Sequence, residues 1–201
     1  MSPVTPTSRS PVSPDNDDEP ARQALLAAVR DHALILGEVT LTSGALAHYY
    51  VDVKRAILLP EGFVPLARLV AAQARAWRAT AVGGMTMGAD PIACAALAGG
   101  ADVKAFFVRK EVKAHGLSRR IEGPLLDDGD RCMLVEDTVT TGGSTLKAID
   151  ALRAEGRHVC GVLAVCDRLA GGAEAIRAAI GDAPYRALAT IDEIYPGRPD
   201  R

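Results

Sequence analysis

The chain alternates between two spacings of apolar residues, and each spacing predicts a different element. After Pro20, the residues Leu25, Leu26, Val29, Ala33 and Leu36 recur at helical intervals, with Asp17 and Asp18 as cap candidates and Gly37 just beyond the end. This predicts a first helix. Two short β-like pieces follow, Val39 to Leu41 and Tyr49 to Val53, parted by Ser43-Gly44. They predict a hairpin-like appendage ahead of the main sheet. Glu61 to Trp77 returns to helical spacing. From Thr80 onward an apolar run, a glycine-bearing loop and a helical stretch repeat several times. Strands are expected at Ala81 to Gly84, Val103 to Val108, Cys132 to Val135, Val159 to Val165 and Ala187 to Ile191. Helices are expected at Ile92 to Ala98, Ser144 to Glu155 and Ala173 to Ile180. The alternation predicts an α/β fold, a mostly parallel sheet flanked by helices, with a small N-terminal hood-like appendage. Ligands of such sheets gather at the carboxyl ends of the strands. The loops after Gly84, Val108, Val135 and Val165 are therefore where chemistry is to be sought.

Composition narrows the picture. The 201 residues are 48% hydrophobic and 24% charged, enough for one sizeable core. Residues 1–16, rich in Ser, Pro and Thr, are expected to form a disordered tail, and 17–201 a single domain. With 23 basic and 25 acidic residues the net charge is -2, so there is no chain-wide attraction for nucleic acid and any anion site must be local. No apolar run approaches the roughly 20 residues that span a bilayer, and the N-terminus lacks the charged-then-apolar order of a signal peptide. A cytoplasmic protein with no membrane partner is expected. Cys94, Cys132, Cys160 and Cys166 stand singly among apolar residues, which reads as buried free thiols in a reducing compartment.

The segment MLVEDTVTTGGST (133–145) puts an apolar strand first, then Glu136 and Asp137, then small and hydroxylated residues opening a helix that carries Leu146, Ile149 and Leu152. Small residues let backbone N–H groups converge, and a helix start adds the positive end of its dipole. Thr138, Val139, Thr140, Thr141, Gly142, Gly143 and Ser144 thus suit a phosphate monoester. Two carboxylates beside a phosphate cradle make sense for a sugar phosphate, because they accept hydrogen bonds from neighbouring ribose hydroxyls. The plainer alternative is that the acids cap a turn and TTGGS is a tight connection. VEDTVTTGGS resembles the phosphoribosyl diphosphate signature of the type I phosphoribosyltransferases, which implies their fold. It also implies that the two acids hold the ribose and the following loop holds the 5-phosphate.

Three further segments resemble the orotate phosphoribosyltransferases of that family. VRKEVKAHGLSRRIEGP (108–124) is similar to their catalytic loop, which implies Arg109, Lys110, Lys113 and His115 as diphosphate ligands, with Lys113, His115 and Asp137 as catalytic residues. Otherwise it would read as a solvated charged loop. SGALAHYYVDVK (43–54) is similar to the base-binding stretch, which implies Tyr49 and Tyr50 on the wall of the orotate pocket, with Thr140 close to the base. CDRLAGG (166–172) is similar to the segment whose arginine meets the substrate carboxylate. That makes Arg168 the orotate ligand, a planar guanidinium being able to pair bidentately with a carboxylate. Its plainer alternative is a surface ion pair with Asp167. The chain departs from some members at Thr42 and at Thr86-Met87, where a lysine and an aromatic-lysine pair stand in them.

The resemblance implies displacement at the anomeric carbon: N1 of orotate enters as diphosphate leaves, as in de novo pyrimidine biosynthesis. Cations at the diphosphate would meet the growing negative charge. Mg²⁺ is expected, held mainly by substrate oxygens rather than by a protein cluster. A homodimer is expected too, with the basic loop shared between subunits. A transferase for adenine or uracil would have no carboxylate for Arg168. A nucleic-acid-binding regulator on the same fold would need a further domain, and a dinucleotide-binding domain would need GxGxxG.

Overall fold

The computed structural model describes residues 18–40, 46–111 and 120–200. The tail at 1–16 and the Ser43-Gly44 turn lie outside them. Helix α1 (Glu19–His32) is followed by strands β1 (Leu34–Thr40) and β2 (Leu46–Val51), which pair antiparallel. Helices α2 (Lys54–Ile57) and α3 (Pro60–Ala76) lead into β3 (Ala81–Met85), α4 (Asp90–Ala98), β4 (Lys104–Val108) and β5 (Ile121–Glu122). Then come β6 (Arg131–Val139), α5 (Gly143–Ala154), β7 (His158–Asp167), α6 (Gly172–Ile180), β8 (Tyr185–Thr190) and α7 (Ile191–Ile194).

Sequence spacing misplaces the end of the first helix. The helix stops at His32, where the N–H of Ala33 closes it on Val29 O at 2.9 Å. Leu36 is a strand residue opposite Tyr49 and is 63% exposed. Gly37, with φ +128°, sits where the β1–β2 register shifts. Pairing with β2 overrides the helical interval here. Asp18 occupies the N-cap position but makes no capping bond; its carboxylate instead meets Arg68 Nε at 3.2 Å.

The main sheet has the order β5-β4-β3-β6-β7-β8, parallel except for β5. Alternate residues feed two cores, as a pleated strand requires. On β6, Met133 and Val135 join Val70, Ile92 and Leu163 on one face, while Cys132 and Leu134 join Ile149, Leu152 and Ile176 on the other. Burial on both faces explains the unbroken apolar runs of β6 and β7. Because β4 and β6 lie on opposite sides of β3, the strand order reverses between β3 and β6 and leaves a crevice above their carboxyl ends.

Three cysteines are buried free thiols, and burial pushes Cys132 and Cys166 up to about 12. Cys94 departs from expectation, being exposed on the short helix α4. Among the described residues, no helix is long and apolar enough to cross a membrane.

Candidate active site

The crevice is a cleft of about 550 Å³ walled by the ends of β3, β6 and β7 and by the hood, with Tyr50, Lys54, Gly88, Lys110, Glu136, Asp137, Thr138, Thr140, Ser144 and Arg168 among its lining residues. β6 runs on to Val139, so Glu136 and Asp137 belong to the strand and not to the loop after it. Successive strand residues face opposite ways. Glu136 turns inward and accepts a bond from Thr145 Oγ1 at 3.0 Å, while Asp137 accepts one from the N–H of Thr138 at 2.7 Å. Burial and then the charge of Asp137 push the Glu136 pKa upward.

A second hollow, of about 350 Å³, is walled by residues 138–145 with Glu136 and Lys147. Gly142 caps α5 at φ +80°, a backbone region open to glycine. The loop is tied to its neighbour: Arg168 N–H donates to Val139 O at 2.9 Å and Gly172 N–H to Thr140 O at 3.0 Å. A Cβ on Gly172 would stand 2.5 Å from Thr140 O, so that close approach requires glycine. The hollow combines hydroxyls with a helix start, a donor set suited to an anion.

Lys54 is a functional candidate that sequence reasoning passed over. Its Nζ lies 2.8 Å from Asp52 Oδ1 and 3.1 Å from Asp137 Oδ2. Burial pulls its pKa down, but the bonds and charges of the two aspartates outweigh this and the net shift is upward. The only signal was a lysine closing the YYVDVK stretch. Its partner Asp137 is far away in sequence.

The predicted site residues divide into three groups. Glu136, Asp137, Thr138, Thr140, Ser144, Arg168, Tyr50 and Lys110 share the cleft, and Val139, Thr141, Gly142 and Gly143 complete the adjoining hollow. Two lie elsewhere. Tyr49 is buried behind the wall, because neighbours on β2 point to opposite faces, and its hydroxyl meets Asp200 and Arg168. Arg109 pairs with Glu122 at 3.3 Å and lines the next cavity along, beside Thr86, Met87 and Phe107. Lys113 and His115 lie outside the described residues. Asp167 does not pair with Arg168: its carboxylate accepts from Tyr185 OH and Leu169 N–H, each at 2.8 Å.

No family model matches the sequence. The chain is 47% identical over 175 residues to an orotate phosphoribosyltransferase of Corynebacterium glutamicum, spanning 87% of this chain and 94% of that one. The crystal structure of Mycobacterium tuberculosis orotate phosphoribosyltransferase in complex with Fe(III) dicitrate superposes with a TM-score of 0.78 at 42% identity, covering 87% of this chain and 99% of that one. The same enzyme in complex with 5-phospho-alpha-D-ribosyl 1-diphosphate gives a TM-score of 0.74 at 38% identity, with 87% and 99% covered. Agreement at this level, over nearly the whole length of each relative, places the chain in the orotate phosphoribosyltransferase family, with the type I phosphoribosyltransferase fold.

Proposed function

We propose that the cleft binds phosphoribosyl diphosphate and orotate side by side and transfers the 5-phosphoribosyl group between them. The bond from the anomeric carbon to diphosphate breaks and a bond to N1 of orotate forms, giving orotidine 5-phosphate for pyrimidine biosynthesis. The carrying observation is that an acid pair, an anion cradle and Arg168 meet around one crevice at the strand-order reversal. Glu136 and Asp137 accept from the ribose hydroxyls. The loop 138–144 holds the 5-phosphate through N–H and hydroxyl groups. Arg168 meets the orotate carboxylate, with Tyr50 and Thr140 beside the base. In the free cleft Lys54 neutralises Asp137, and ribose hydroxyls arriving at that carboxylate free its ammonium for the diphosphate.

The reacting carbon gains positive character while negative charge grows on the leaving group, so cations at the diphosphate lower the barrier. Lys110, Lys113 and His115 take that part, and Arg109 joins them once its exchange with Glu122 is broken. Among the described residues no group of three or more His, Cys, Asp or Glu gathers as a metal site. The donor set suits Mg²⁺ held by diphosphate oxygens and water, the two cleft carboxylates staying with the ribose. When bound, the ion neutralises leaving-group charge. Two copies act as a homodimer, each lending its basic segment to the other's cleft. The family resemblance supports this. Both substrates are polar anions that do not cross a bilayer unaided, which supports a cytoplasmic enzyme.

The test is an absorbance assay with phosphoribosyl diphosphate, Mg²⁺ and each base in turn. Orotate should be consumed only when phosphoribosyl diphosphate and the divalent ion are both present. Equal turnover of adenine or uracil would overturn the assignment.

A further inference from the structure

Arg168 is held by one tyrosine–aspartate pair, which joins three distant parts of the chain, while a second such pair fixes the backbone next to it. Below the loop, Asp167 accepts from Tyr185 OH and from the N–H of Leu169, a residue at φ +55° where a branched side chain is strained. Above it, the Tyr49 ring lies 5.3 Å from the Arg168 guanidinium carbon, and Arg168 Nη2 donates to Tyr49 OH at 3.3 Å. The Tyr49 hydroxyl donates in turn to Asp200 Oδ2 at 3.0 Å. Arg198 braces that carboxylate at 3.0 Å and reaches Asp192 at 2.8 Å, while the Tyr195 ring meets the Tyr49 ring edge-on at 5.4 Å.

The order of donors matters. A phenol whose proton is committed to a carboxylate presents only lone pairs to its other neighbour, and the carboxylate makes those lone pairs better acceptors. Arg168 is therefore oriented by a neutral oxygen. Among the described residues no carboxylate lies within ion-pair distance of it. A guanidinium bound directly to Asp200 would be neutralised and would have to be released before meeting a substrate anion. The phenol fixes its direction while leaving its charge available, and it removes rotamer freedom that binding would otherwise have to remove.

We propose that Tyr49, braced by Asp200 and Arg198, is a positioning residue that sets selectivity for an anionic base by aiming Arg168. The segment 195–200 thereby takes part in base selection. The proposal rests on the reading that Arg168 meets the orotate carboxylate, and its test separates the two. Steady-state kinetics and orotate calorimetry are measured for the unaltered protein, Tyr49→Phe, Arg168→Ala and the double variant, with Asp200→Asn and Asp200→Glu alongside. Tyr49→Phe keeps the ring and its packing. It should raise KM for orotate about fivefold to tenfold and leave KM for phosphoribosyl diphosphate within about twofold. Asp200→Asn should act in the same direction, and Asp200→Glu should restore part of the loss. In the Arg168→Ala background, Tyr49→Phe should add nothing further. An unchanged KM for orotate in Tyr49→Phe overturns the proposal, as does an equal loss with and without Arg168. If Arg168→Ala alone leaves orotate affinity intact, the carboxylate assignment itself fails and the positioning role falls with it.

Discussion

Strand β6 carries an acid at each end, and the two ends treat acids in opposite ways. Asp130, just before the strand, is 6% exposed and accepts from Thr80 Oγ1 at 2.7 Å, Lys104 Nζ at 2.8 Å and Asp127 N–H at 2.7 Å. Burial alone would push its pKa up, but Lys104, the Asp127 backbone and Thr80 together hold it below the usual carboxylate range. Glu136, near the far end, is also 6% exposed, yet its pKa moves upward, driven first by burial and then by the charge of Asp137, with only Thr145 Oγ1 donating against them. Burial pushes both acids upward: at Asp130 three donors outweigh it, whereas at Glu136, set deeper in the protein, burial and the charge of Asp137 prevail over the single bond from Thr145. At the amino end of β6, Asp130 is occupied by three donors of its own protein. At the carboxyl ends acceptor capacity is left over, and Asp90 Oδ1 there is also buried without a partner. Unfilled acceptors above the strand-order reversal are what a polyhydroxylated ligand can use.

Substitutions at the two ends should therefore separate activity from stability. The largest effect is expected at the carboxyl end: Asp137→Asn should lower kcat/KM for phosphoribosyl diphosphate about a hundredfold or more, with the melting temperature nearly unchanged. A loss under tenfold in steady-state assays would remove Asp137 from the ribose site. At the other end, Asp130→Asn should leave the kinetic constants alone and cost about 2 kcal/mol of stability, roughly 4–8 °C in melting temperature at this chain length. This stability difference should depend on pH. The folded-state pKa of Asp130 is depressed, so its contribution is present above the ordinary carboxylate value of about 3.9 and is lost as pH falls through the folded value. Denaturant titrations should show the gap between the two proteins at full size near neutrality and narrowing below pH about 4. The smallest effect is expected from Gly88→Ala. A Cβ there would lie 2.6 Å from Asp137 Cγ and Oδ1, so the carboxylate must shift. A loss of about tenfold in kcat/KM is expected, since small misplacements at a reacting site are costly. An unchanged rate would mean that the position of Asp137 is loosely held.

Local patterns explain what could be read without coordinates. The five parallel strands and the helices between them were legible because each is an apolar run closed by glycine or a polar turn. The pair β5 and the single-turn α2 are too short to show a period. Helix α7 did carry a signal, the capping box of Thr190 with Glu193, but the strand reading ran on to Ile191. The segment 136–144 was legible as a site because its parts are consecutive. Lys54 was not, since its meaning depends on a strand far along the chain. The Tyr49-Tyr50 pair was read as one wall, whereas strand alternation splits it between the cleft and the brace behind Arg168. Nothing in the residues 195–200 themselves points to that brace.

The short antiparallel pair β4–β5 is fastened beyond its own ladder. Arg109 N–H donates to Arg120 O at 2.8 Å, and the Arg120 guanidinium donates twice to Arg109 O, from Nε and Nη2, each at 3.1 Å. Arg109 and Arg120 are therefore stitched to each other by three bonds just beyond the last pair of the β4–β5 ladder. The entropy of closing a segment grows only with the logarithm of its length, about 0.6 kcal/mol for each doubling. With Arg109 and Arg120 fastened together at the sheet edge, a change in the number of residues between them should cost little and leave the register of β4 and β5 as it is.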